Sequence, residues 1–179
     1  MKIIAAVPGG AANRWALPGL QQSSLSVSDD DLAVWMLWLD RIPDTAWPDR
    51  SQVYAVDERP QWSSDEPVGV TRLSFVRRAN GLTRQQFGEH WRDIHAPLAK
   101  RHHPSVIRYV QNVVIARLTP DSPEADGIAE LSFASVDDMH ARQYDSDAGR
   151  EIIGADVRRF IDLSAGWRAL VRPVGQAGQ

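Results

Sequence analysis

Residues 81–98 read GLTRQQFGEHWRDIHAPL, and this stretch decides how the rest of the chain is organised. Thr83 is a good helix N-cap, and Gln86 three residues later completes a capping box, in which each side chain satisfies a backbone N–H that the first turn leaves free. Phe87, Trp91, Ile94 and Leu98 recur at helical spacing and form one apolar stripe. Pro97 has no N–H and disfavours helical geometry at Ala96, so the helix is expected to end or kink there. His95 then stands at a break, about 80° round the helix from Phe87. A break leaves its imidazole free to point into a cleft.

Strand patterns flank this helix on both sides. Val68 to Arg77 alternates, with Leu73 and Phe75 on one face and Arg72 and Ser74 on the other. Val106 to Leu118 (VIRYVQNVVIARL) is rich in β-branched residues and reads as a strand. Ile128 to Phe133 alternates again. Ser135 caps a second helix, which Asp147 restarts and which carries Ile152, Ile153, Val157, Phe160 and Ile161. Trp167 to Val171 is a last short strand. The order β-α-β-β-α-β is the split βαβ, ferredoxin-like arrangement of the α+β class. Both helices must cover one face of the sheet. The open face then needs a partner, and two such sheets stacked together would surround a pocket.

The first third is less regular. Lys2 to Val7 reads as a strand, and residues 8–29, rich in Gly, Pro, Ser, Ala and Gln, as a long loop. Ser28 is placed to cap a segment opening on three aspartates. Leu32 to Leu39 (LAVWMLWL) is apolar throughout, which does not separate a buried strand from a buried helix, and its Trp and Val content leans to strand. Gln52 to Val56 is a further strand, and residues 61–67 read as a linker.

Bulk properties narrow the classes. The chain has 179 residues, 43% of them hydrophobic, enough for a real core. A net charge of −3 gives no reason to expect nucleic acid as a partner. Arg77-Arg78 and Lys100-Arg101-His102-His103 are short clusters that read as solvated edges. With no cysteine there is no disulfide, thiolate metal site or cysteine nucleophile. No run approaches the roughly 18 apolar residues that cross a membrane, and the expectation is a cytoplasmic protein. Most of the seven tryptophans are expected to pack as large apolar groups, with Trp15, Trp47 and Trp62 as candidates for lining a pocket or pinning loops.

The run FVRRANGLTRQQFGEHWRDIHAPLAKRHHPSVIRYVQNVV (residues 75–114) resembles the EthD family of dimeric α+β-barrel proteins. The matching pieces are Arg78 to Thr83, the Phe87…Trp91…His95-Ala96-Pro97 helix and Arg108-Tyr109-Val110-Gln111; DGIAELSF at 126–133 is similar to the family's third strand. The resemblance spans about residues 68–174. Residues 1–67 would then be an N-terminal extension or a degenerate second half, and 175–179 a tail. The resemblance implies a ferredoxin-like unit that dimerises through its sheets into a barrel. Members act in ether degradation or as fungal polyketide decarboxylases and dehydratases. More distant barrels are cyclases, monooxygenases, muconolactone isomerases or haem-binding enzymes. Fold and pocket follow from this, and a single reaction does not.

His95 is the first candidate for chemistry, because imidazole titrates near neutral pH. The structural alternative is an imidazole bonding carbonyls freed at Pro97. Tyr109 and Gln111 share one face of their strand, Arg108 and Asn112 the other, and a phenol or amide on the pocket side would polarise a carbonyl oxygen. Glu130, beside Ser132, is either a buried base or the partner of Arg72 or Arg108. His90 falls on a different side of the helix from His95, and adjacent His102 and His103 diverge, so no metal site is expected. The expected function is a cofactor-free cyclase, dehydratase or decarboxylase acting on an aromatic or polyketide-like molecule. In that reading His95 moves the proton, Tyr109 or Glu130 orients the carbonyl or shares the acid–base role, and Arg72, Ser74, Gln111, Trp91 and His103 bind substrate. The alternatives are a haem-handling barrel with His95 or His103 as axial ligand, and a non-catalytic carrier of a hydrophobic ligand. A homodimer is expected because the open sheet face lacks a partner.

Overall fold

Lys2, Ile4 and Ala6 point to one side of the first strand and Ile3, Ala5 and Val7 to the other, and all six are buried. A strand buried on both faces belongs inside a layered structure. The computed structural model describes residues 1–9 and 20–174 and shows what the layers are. Strands β1 (Lys2–Pro8), β2 (Leu20–Val27), β3 (Leu32–Leu39), β4 (Gln52–Ser63), β5 (Val70–Val76), β6 (Arg108–Arg117), β7 (Gly127–Phe133) and β8 (Trp167–Pro173) close into one antiparallel barrel in the order β1-β3-β2-β8-β5-β7-β6-β4. Helices α1 (Arg84–His90), α2 (Ala96–His102), α3 (Val136–Ala141) and α4 (Asp147–Phe160) all fall between β5 and β8.

Ring order exposes an internal regularity. The C-terminal strands lie as β8-β5-β7-β6 and the N-terminal ones as β4-β1-β3-β2, the same sequence of positions with no helix among the described residues of the N-terminal half. The two halves join through a long β4–β6 ladder and a short β2–β8 pairing at Ser26 and Val27. The open sheet face is therefore covered from within the chain. This corrects the expectation that a second copy is needed to close the barrel, and it removes the open face as the reason for a homodimer.

Three other expectations change. Residues 20–27 belong to β2 rather than to a loop, and Ser28 accepts from the N–H of Leu32 across the tight β2–β3 connection, where Asp31 takes positive φ, instead of capping a helix. Residues 61–63 extend β4 rather than starting a linker, because β6 offers them a ladder down to Ser63–Arg108. Trp15 lies outside the described residues.

Side chains sort into three apolar layers. Ile4, Met36, Tyr54, Leu73, Phe75, Ile128 and Val171 fill the barrel interior. Phe87, Trp91, Tyr109, Leu131, Phe133, Ile153 and Phe160 pack between the C-terminal sheet and the helices. Ile3, Trp35, Leu37, Leu39 and Val53 back the N-terminal sheet. Among the described residues, no helix is long and apolar enough to cross a membrane.

Candidate active site

The helix that opens at Thr83 does form, and both halves of its capping box are present. It does not stop at Pro97. Trp91–His95 is a π turn, and α2 continues to His102 with Ala96 in ordinary helical geometry. The Ala96 N–H bonds the carbonyl of Trp91, five residues back. A wider turn gives the proline ring, which would clash with a carbonyl four residues back, room to sit in a continuing helix. The extra residue in the turn also rotates the faces. Ile94, expected on the apolar stripe, is 47% exposed, and His95 takes the inward place. His90, expected on another side, comes to the same face as His95.

Both histidines close on one carboxylate. His95 Nδ1 lies 2.9 Å from Asp156 Oδ2, and His90 Nε2 lies 2.8 Å from Asp156 Oδ1. Asp156 comes from α4, where Gly149, Ile153, Asp156 and Phe160 are the buried positions. Phe160 packs against both imidazoles, at 5.1 Å from the His95 ring and 4.7 Å from the His90 ring. Burial alone would push the Asp156 carboxyl up; the hydrogen bonds and charges of His95 and His90 outweigh it and hold the group below the usual carboxylate range. No hydrogen bond engages His95 Nε2 among the described residues, and that atom is not sealed from solvent.

Trp91 and Tyr109 are buried in the layer between the C-terminal sheet and the helices. The Trp91 indole N–H donates to the Tyr109 hydroxyl at 2.7 Å, and the Gln111 amide donates to the Trp91 carbonyl at 2.8 Å. Trp91 lies so close to β7 that a Cβ at Gly127 would overlap its ring. Burial pushes the Tyr109 phenol well up, against the pull of Gln111 and Trp91. Trp62 meets Tyr109 edge-on and donates to the Val106 carbonyl, so it pins the β6 entry. His103 is buried, its Nδ1 2.6 Å from the Gln143 carbonyl. Burial pulls its pKa down to about 4, with the charges of Arg72, His95 and His102 acting the same way. His102 turns to Asp145, so the two adjacent imidazoles do diverge.

The expected site residues thus divide. His95, Trp91, Tyr109 and Gln111 meet on the helix side of the C-terminal sheet, and β5 carries Arg72 and Ser74 on that same face, with His103 close enough to feel both Arg72 and His95. Glu130 does not join them. It faces the barrel interior beside Asn112, whose amide donates to it at 2.7 Å, and its ion-pair partner is Lys2, neither Arg72 nor Arg108. Lys2 also reaches Glu58 at 2.9 Å, and Trp38 donates to Glu58 at 2.8 Å. Burial raises the Glu58 carboxyl, but Lys2, Trp38 and Arg108 together hold it below the usual range. Lys2 sits in the first strand and was legible only as a residue on the face of Ile4 and Ala6. Asp156 had a better signal, an acid on the apolar stripe of α4.

A cleft of about 310 Å³ opens past the far end of β5, lined by residues including Arg78, Arg84, Arg117 and Asp126. No histidine lines it. His95 and His103 are each under one-tenth exposed, and each has its Nδ1 engaged. Among the described residues no group of three or more His, Asp or Glu side chains converges as a metal ion requires.

Comparison with known proteins gives a domain match over part of the chain and a shared fold. Residues 79–164 match the family described as EthD domain. No match is found among the curated proteins. Several solved structures share the fold. An anthrone oxidase-like protein superposes with a TM-score of 0.65 at 10% identity, over 97% of this chain and 91% of its own. A major regulator of staphylococcal pathogenesis gives 0.58 at 13% identity, over 98% and 100%. A protein of Lactobacillus acidophilus NCFM, provisionally assigned as a monooxygenase, gives 0.52 at 9% identity, over 97% and 92%. At these identities the likeness is one of fold.

Proposed function

We propose that this chain, whose residues 79–164 are an EthD domain, is an enzyme that removes a proton from carbon on a small aromatic molecule, with His95 as the base. One observation carries the reading: His95 has its Nδ1 committed to Asp156 and its Nε2 uncommitted. A carboxylate on Nδ1 keeps the proton on that nitrogen, leaves Nε2 as the basic atom, and stabilises the imidazolium once a proton arrives. His90 on the second oxygen fixes the carboxylate in turn. Phe160 packs against the His95 imidazole and, with Trp91, belongs to the buried aromatic layer behind it. Glu130 takes no part in this reading, because it lies on the other face of the sheet. Tyr109 serves as a buried support for Trp91 rather than as an acid.

The resulting carbanion adds to a carbonyl in a cyclase or expels a β-hydroxyl as water in a dehydratase; in the decarboxylase type that the resemblance also implies, loss of CO2 forms the carbanion and the protonated imidazole returns a proton to it. The fold shared with an anthrone oxidase-like protein favours a further fate, reaction with dioxygen. There a CH2 group and O2 give C=O and H2O, after the same proton loss. Anthrone is a suitable probe for both. In D2O, the wild-type protein is expected to speed exchange of its methylene protons, followed by 1H NMR without oxygen. Oxygen uptake in a second vessel separates oxidation from simple proton transfer. Equal exchange with wild type and His95→Asn, tested on anthrone and on aromatic 1,3-diketones, would end the proposal.

A further inference from the structure

Arg72 is a cation with no carboxylate partner among the described residues. Its Nε is sealed from solvent with no hydrogen-bond partner. Its two Nη atoms are likewise unbonded, yet they are not sealed. Burial and the nearby Arg168 both act against its charge, pulling its pKa down. The nearest compensation is the Phe133 ring, 5.9 Å from Cζ, at the outer limit of a cation–π contact. Buried charges are normally paired, and a guanidinium that buries one N–H without an acceptor is destabilising in the free protein.

Its position gives that anomaly a use. Arg72 stands on the helix-side face of β5, next to β7 at Leu131, and its charge is felt by His103, which also feels His95. Tyr144 meets His103 in a tilted ring contact with centroids 4.9 Å apart, and it acts on Arg72 as well. The surroundings are therefore aromatic, and His103, neutral near pH 7, adds no competing charge. We infer that Arg72 is an anion seat, which receives the carboxylate of a planar aromatic ligand. The guanidinium fork matches the two oxygens of a carboxylate, and one guanidinium balances one negative charge, whereas a phosphate monoester brings nearly two. The inference rests on the proposed function in one respect, that the seated ligand is the molecule on which His95 acts.

Calorimetric titration of the full chain with benzoate, benzamide and phenyl phosphate tests it, with the His103 and His95 ring protons followed by NMR. Benzoate is expected to bind at millimolar concentration and to shift the His103 resonances. Benzamide, which lacks the charge, should bind at least about tenfold more weakly, and so should benzoate to Arg72→Met. Arg72→Lys keeps the charge without the fork and should fall in between. Because Arg72→Met removes an unpaired, partly buried cation, its Tm should be no lower than wild type. His95→Asn should still bind benzoate. The seat is overturned if benzoate does not bind, if benzamide binds equally well, if phenyl phosphate is preferred, if Arg72→Met binds unchanged, or if Arg72→Met is clearly destabilised. The base is tested separately: loss of benzoate binding leaves proton exchange by His95 standing, and absence of exchange leaves the seat standing.

Discussion

His95 Nδ1 lies 2.9 Å from the Oδ2 of Asp156, a residue 61 positions further along the chain. The bond joins the π turn to α4 and holds the imidazole in one orientation over Phe160. Asp156→Asn keeps the shape and removes the charge that fixes the tautomer. Turnover of any substrate found by proton exchange is expected to fall about 10²–10⁴-fold, with KM little changed. Steady-state kinetics checks this, and unchanged kcat would remove Asp156 from the account.

Asp156 also ties stability to acid. Its folded pKa is depressed, so its contribution is present above the unfolded carboxylate pKa and is lost as pH falls through the folded value. Thermal melts taken downward from pH 5 should show wild type losing its advantage over Asp156→Asn. Parallel curves would contradict it.

His103 predicts an effect of different origin at higher pH. Its folded pKa of about 4 lies below the ordinary imidazole value. Between about pH 6.5 and 4 the unfolded chain takes up a proton there that the folded chain refuses, so stability rises with pH across that window and falls on acidification. His103→Asn, which retains a donor for the Gln143 carbonyl, should lose this slope in melting temperature against pH.

Much of the C-terminal half was legible in the sequence, and the reasons are local. The capping box at Thr83 and Gln86, the cap at Ser135 and the alternation in β5 and β7 are decided within a few residues, and each is found in place. The π turn was not legible. Pro97 signals trouble for a helix, but whether the chain breaks or widens depends on what α4 and β7 offer, and Asp156 and Gly127 offer a histidine partner and room for Trp91. The N-terminal half was harder because its strands are buried on both faces or, as in β2, are polar and paired only through distant neighbours. Tyr109 and Gln111 were correctly placed on one face, while which face met the helices needed the closed barrel. Glu130 was read as a possible base because its partner, Lys2, stands 128 residues away.

That pair sets a test of the barrel interior. Lys2 is 1% exposed and lies between Glu130 and Glu58. Lys2→Met leaves two carboxylates without their cation, and denaturant unfolding should show a loss of about 3–5 kcal/mol. Lys2→Met with Glu130→Gln should recover part of it, a coupling that a double-mutant cycle measures. Strict additivity would mean that the pair does not act as a unit.

Tyr109 separates support from catalysis. Tyr109→Phe strands the buried indole N–H of Trp91, at a cost of about 1–3 kcal/mol in unfolding free energy. Proton exchange by the folded variant should stay within a few-fold of wild type. A collapse of exchange with unchanged stability would return Tyr109 to the acid–base role.

The central claim is that Asp156 holds His95 with Nε2 as its basic nitrogen. Long-range 1H–15N spectra of the histidine rings read this directly. The account predicts that neutral His95 carries its proton on Nδ1, with the resonance of an unprotonated Nε2, and that Asp156→Asn disturbs this pattern. A neutral His95 protonated on Nε2 in the wild-type protein would contradict it.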